Sequence, residues 1–402
     1  MDGKIVLILL CIAAVCSIPA AALEITEGPI LIQETDLPVH SLSTDGRYVV
    51  MSGSWENATL KTYSHKEGFI SDGYIRIYDR ITGTVTDVPG NVPPRFASET
   101  SVINGVITWI GAGYRFPVDH GNMRENQAFF QYTIGETWPT LLYTEPGRIT
   151  REENGRILTV TGADNHPEDT KALVYDTRTK TTVQIPLSAH PSPGLVWITG
   201  DYVIWNERWS DGDGKIHVCN LATQETSTIG GDGDRLSVLD AAENTVLYRQ
   251  SWSRNYTQGP FELRAANLAT GETVLITDRT VEAAKIDPPV VLWTESQRSG
   301  GEYTRTLYAG SFTGGGEPLR ITEDAGHADV GGNLIVWDTW DNSTGKTRVY
   351  ALQLNVPGSS AGMEQPQTNV PPSRTKAGMP PQYIIGAITF ALACVLAILW
   401  RK

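Results

Sequence analysis

The sequence predicts an all-β fold, a seven-bladed β-propeller of four-stranded blades. Three observations lead there. A phrase recurs in which a short apolar strand ends in an aromatic residue. A polar segment follows, then a second strand ending near Asp or Asn, and a Thr-Gly-type turn. The aromatic anchors Trp205, Tyr248, Trp293 and Trp337 stand 43, 45 and 44 residues apart. A step of roughly 40–45 residues with several short strands per unit marks a propeller blade. Weaker copies lie upstream, beginning at Tyr48, Val106 and Arg156, so three early and four late copies make seven.

Each element has a local reason. The strands alternate apolar and polar residues, or run wholly apolar where both faces are covered. The pairs Asp45-Gly46, Asn104-Gly105, Asn154-Gly155 and Gly200-Asp201 precede the second strand of their blades, as tight hairpins require. Trp109, Trp205, Trp293 and Trp337 are expected in the core. The last copy runs out after Leu352-Gln353-Leu354 without an outer strand. Gly28-Pro29-Ile30-Leu31-Ile32 resembles the outer strand Glu317-Pro318-Leu319-Arg320-Ile321. The N-terminal strand is therefore expected to close the last blade and pair two otherwise exposed edges.

Both ends carry membrane signals. Residues 1–22 combine Lys4, an apolar stretch and Ala20-Ala21-Ala22, the layout of a secretory signal peptide. The ectodomain is expected over 23–355. Residues 356–381 are rich in proline and lack aromatics, so they read as an extended stalk. A transmembrane helix is expected over 382–400, since Ile384 to Trp400 would span about 26 Å. Tyr383 and Trp400 flank it, and Arg401-Lys402 form a cytoplasmic tail at 401–402. These signals place the propeller at the cell surface on a single-pass anchor. Of four cysteines only Cys219 falls in the ectodomain, so it is expected to be a small buried hydrophobe. The net charge of −13 disfavours nucleic acid. The sequons at Asn57, Asn255 and Asn342 are candidate glycosylation sites.

The match to an Ile-Tyr-x-x-Asp … Thr-Gly phrase in Ile75 to Asp79 with Thr82-Gly83 is similar to propeller repeats of the TolB type, also called WD40-like. So are Asn267 to Gly271 with Leu275-Ile276-Thr277, and Leu319 to Thr322. The resemblance covers roughly residues 40 to 355. With the signal, stalk and terminal helix, the chain resembles archaeal cell-surface propeller proteins. That resemblance implies a fold more than a function.

For chemistry, aromatics recur just past the second strands: Trp55, Tyr114, Trp209, Trp252 and Trp340. The loops joining second and third strands gather on one face of a propeller. Flat rings with nearby Asp and Arg there suit a polysaccharide or protein ligand. The competing reading is that these rings cap the core between blades. Asp211 and Asp213 lie in an acidic Gly-rich turn that a Ca²⁺ ion would suit. No Glu closes that loop, so a solvated turn is the preferred reading. No Gly-x-Ser-x-Gly, His-Glu-x-x-His, Cys cluster or phosphate loop is present. Asp119, His120, Asp164, His166, Glu168 and Asp169 lie in the expected loop face and would serve a glycosidase or lyase. The expected function is a non-enzymatic surface module that binds an envelope or extracellular polysaccharide or surface protein. A carbohydrate-active enzyme and a passive envelope element are the alternatives.

Overall fold

The computed structural model describes residues 23–356 except 55–59, 64–65, 70–72, 90–96, 118–122, 145–147, 154, 164–165, 188–190, 208–213, 232–233, 252–260, 300–301 and 313–316. The chain forms a seven-bladed propeller, each blade an antiparallel sheet of four strands in the order inner, second, third, outer. The inner strands of blades 1 to 7 are Val39–Thr44, Ala97–Ile103, Arg148–Glu153, Pro191–Thr199, Arg235–Ala242, Val281–Asp287 and Ala325–Gly331. The signal peptide, stalk and terminal helix lie outside the described residues.

The ring is closed by Glu24–Thr35, which supplies the outer strand of blade 7 against Lys346–Asn355. The expected closing strand is thus found, and it is longer than the segment that suggested it. Ile30 and Ile32 pack against the apolar cluster between blades 7 and 1, while Leu31 faces outward. Glu34 pairs with Lys346 at 2.8 Å and Arg348 at 2.9 Å. These exposed ion pairs fix register more than they add stability.

The core is a set of seven apolar wedges, one between each pair of neighbouring blades. Four anchors repeat one device. Trp109, Trp205, Trp293 and Trp337 are buried on the second strand and stack on the ring paired opposite them on the third. Their partners Phe130, His217, Tyr308 and Tyr350 have centroids at 5.5, 5.2, 5.8 and 5.5 Å. Cross-strand ring pairs of this kind add to area burial. Cys219 is buried and free of disulfides, as expected.

The Thr-Gly phrase has a physical cause. At its start an Asp or Asn side chain accepts backbone N–H groups two and three residues on. Asn220 takes Ala222 and Thr223, Asn267 takes Ala269 and Thr270, and Asp176 takes Arg178 and Thr179. The fifth residue turns back with positive φ, 74° at Gly271 but also 59° at Lys180 and 60° at Gln224. The tight hairpins before the second strands are also present, with Asn104 at φ 51° and Gly105 at 74°.

Several segments expected as loops are strands instead. In blade 2 the second and third strands run as Val106–Pro117 and Met123–Thr133, and in blade 3 as Arg156–Ala163 and His166–Asp176. They extend as hairpins past the packed part of the blade. A strand that buries no apolar face needs no alternating pattern, so its sequence reads as polar loop.

Candidate functional site in the central channel

The inner strands turn one edge toward the axis, where no further strand covers it. At one register all seven blades place a residue opposite the third residue of the second strand. The pairs are Ser43 with Val50, Ser101 with Thr108, Arg151 with Leu158, Trp197 with Ile204, Asp240 with Leu247, Lys285 with Leu292 and Asp329 with Val336.

This position has a structural task. Its side chain accepts the N–H of the residue that follows the same position in the next blade. Ser43 Oγ takes Val102 N at 3.2 Å, Asp240 Oδ2 takes Ile286 N at 3.2 Å, and Asp329 Oδ2 takes Thr44 N at 2.9 Å. The last bond joins blade 7 to blade 1 beside the closing seam. Such bonds satisfy donors that the free inner edge would otherwise leave unpaired.

Lys285 breaks the rule, because an ammonium has donors and no acceptor. The N–H that it cannot take, that of Val330, is taken by Asp329. Lys285 Nζ lies 3.9 Å from Asp240 Oδ1, and among the described residues it makes no hydrogen bond. Its side chain is 43% exposed. Burial in the channel wall and the nearby Asp240 charge push Asp329 up to about 6, opposed by Lys285 and by the N–H groups of Thr44 and Val330. Burial is the largest of these influences.

The channel encloses a cavity of about 720 Å³, to which Ser41, Ser43 and Thr100 contribute hydroxyls opposite the charged blades. At its lip, His327 Nδ1 lies 3.1 Å from Asp338 Oδ2, and His327 N donates to Asp338 Oδ1. Asp338 is buried, and its bond raises the affinity of His327 for a proton. Gly326 permits this approach, since a Cβ there would stand 2.3 Å from Asp338 Oδ1. His40 shares the lip and is pushed below its ordinary value by burial, then by the His327 charge. The two imidazoles are thus driven apart in proton affinity.

The antiparallel order places this lip at the end where second strands lead into third strands. Trp340 lies there, two residues past Asp338, and is 52% exposed. Asn342 is exposed in the turn after it, where Asp341 accepts Ser343 N and Thr344 N. Tyr114 lies on the extended second strand of blade 2, paired with Asn126. Trp55, Trp209, Trp252, Asp211, Asp213, Asn57, Asn255, Asp119, His120 and Asp164 lie outside the described residues. His166, Glu168 and Asp169 fall on the third strand of blade 3.

The sequence reading missed the channel charges, yet a signal was present. Asp240, Lys285 and Asp329 each interrupt an otherwise small or apolar strand. Their steps of 45 and 44 residues repeat those from Tyr248 to Trp293 to Trp337. The period that located the anchors also located the channel ring.

No protein-family model matches the sequence, and no curated protein matches it either. Solved structures do. The β-propeller domain of the trilobed protease from Pyrococcus furiosus is similar with a TM-score of 0.55 and 12% identity, over 80% of this chain and 95% of that one. That domain is described as having an open velcro topology, whereas this ring is sealed by its N-terminal strand. Acylaminoacyl peptidase from Pyrococcus horikoshii is similar with a TM-score of 0.54 and 13% identity over 80% of this chain. This chain spans about half of that peptidase, 52% of its length. At these identities the likeness is one of fold: the chain shares the propeller of peptidase propeller domains.

Proposed function

We propose that this chain is an extracytoplasmic binding module, held at the cell surface by its C-terminal helix, which captures an envelope or extracellular polysaccharide or surface protein. The observation that carries the reading is the open channel at the end bearing exposed Trp340. Seven blades converge there on a cavity of about 720 Å³ with hydroxyls, charges and an indole at hand. Concave sites with a few convergent polar groups are the usual places for ligands. The signal peptide and anchor read from the sequence, together with the sequons, place that face outside the cell.

The test is retention of the propeller, residues 23–355, on envelope polysaccharide and surface-protein fractions. Saturable retention on one fraction, weakened by Trp340→Ala with unchanged circular dichroism, supports the reading. Absence of retention on every fraction refutes it and favours a passive envelope element. A carbohydrate-active enzyme has one observation in its favour, the His327–Asp338 pair at the lip. Turnover of the retained polysaccharide, lost in His327→Gln, would establish that alternative.

A further inference from the structure

We propose that Asp240, Lys285 and Asp329 form a channel subsite for a small zwitterion of the α-amino-acid type, its carboxylate on the Lys285 ammonium and its ammonium on the flanking aspartates. The inference rests on the reading of the propeller as a binding module and assigns a ligand class to its channel.

The argument starts from the departure at Lys285. Ser43, Asp240 and Asp329 use the ring position to accept the N–H of the next blade. A serine or aspartate in blade 6 would do the same for Val330. Lysine gives up that bond and places a cation in the channel wall without a hydrogen bond from the described residues. Departures from a fold's own local rule mark functional positions. The flanking carboxylates are fixed from behind. Asp240 is held by Ile286 N and Asp329 by Thr44 N. Rigid support of this kind presets charges for a ligand.

The alternation of sign along blades 5, 6 and 7 selects the ligand. An amine with no acid brings a second cation beside Lys285. An acid with no amine brings a third anion between two carboxylates. A ligand carrying both charges on adjacent carbons satisfies all three groups. The gap of 3.9 Å between Lys285 Nζ and Asp240 Oδ1 is too long for a hydrogen bond, so this contact yields to a ligand carboxylate. The cavity of about 720 Å³ leaves room for a side group against the hydroxyls of Ser41, Ser43 and Thr100.

The experiment is calorimetric titration of the full-length chain in detergent. The probes are a pool of the twenty amino acids, then each binder beside the amine and the carboxylate that share its side chain. The expected result is saturable binding of at least one amino acid, at least ten-fold tighter than either single-charge analogue. Lys285→Met and Asp329→Asn should each weaken it at least ten-fold while circular dichroism stays native. The substituted asparagine keeps a carbonyl for Thr44 N, so the second variant retains its blade contact. Silence with every amino acid, equal binding of the amine, or unchanged affinity in Lys285→Met each overturns the proposal. Retention of the same preparations on envelope fractions separates the two readings. Retention without channel binding sinks this inference alone, and channel binding without retention sinks the envelope-capture reading alone.

Discussion

Asp329→Asn makes stability depend on pH in a way that follows from the channel wall. In the folded chain Asp329 is pushed from 3.8 to about 6, chiefly by burial. A raised carboxylate favours folding only while protonated. Its contribution is full below the unfolded value near 3.8 and is lost as pH rises through the folded value near 6. A gap of about two units at 1.36 kcal/mol per unit is worth about 3 kcal/mol. Asparagine carries no charge to desolvate and still offers an oxygen to Thr44 N, which the wild-type carboxylate holds at 2.9 Å. The variant should therefore be more stable than wild type by up to about 3 kcal/mol at pH 8, and the difference should vanish as pH falls toward 4. Urea denaturation midpoints of both proteins at half-unit steps from pH 4 to 8 measure this. A variant that is less stable at pH 8, or a difference that ignores pH, refutes the reasoning. The same change should weaken zwitterion binding, a trade of function against stability common at preset charged sites.

Three other outcomes follow. Trp293→Ala removes a buried indole that stacks on Tyr308 and donates to Glu295, so it should cost about 3–5 kcal/mol, read from the denaturation midpoint. Asp338→Asn should return the His327 titration toward its ordinary value, observed as a downward shift of its imidazole titration midpoint in NMR; an unmoved midpoint would dismiss the Asp338 bond as the cause. Deleting residues 24–35 uncovers the edge of Lys346–Asn355 and should drive self-association, seen by light scattering; a monomeric deletion variant would mean the seam is not needed to protect that edge.

The fold was legible because each blade repeats the same constraints. An anchor such as Trp205 or Trp337 must fill one wedge between blades, so it returns at a fixed step. The Asn267-to-Gly271 turn returns because its side-chain acceptor and positive φ are both needed for a tight reversal. The closing strand was legible from its likeness to the outer strand at Leu319–Glu323. The hairpin extensions of blades 2 and 3 were not, because pairing beyond the core requires no apolar face. The channel was harder to read for another reason. Lys285 and Asp329 resemble isolated charges in sequence, and only the ring brings residues of three blades side by side. Trp340 was singled out on sequence and is exposed at the channel end, whereas its partnership with the nearby His327–Asp338 lip depends on contacts across strands.

The sealed seam also has a mechanical consequence. Residues beyond 356 continue from the third strand of blade 7, and Asn355 at its end is paired with Glu24 of the closing strand. A pull on that end along the strand does not peel an edge. Lys346–Asn355 is flanked by Glu24–Thr35 on one side and Leu334–Asp341 on the other, so both ladders are loaded in shear at once. Had blade 7 kept its outer position empty, the pulled strand would have been held on one side only. Using the first strand to cover the last turns the point where the tether begins into the interior of a sheet, and a ligand tugged by flow would strain many hydrogen bonds together rather than one after another.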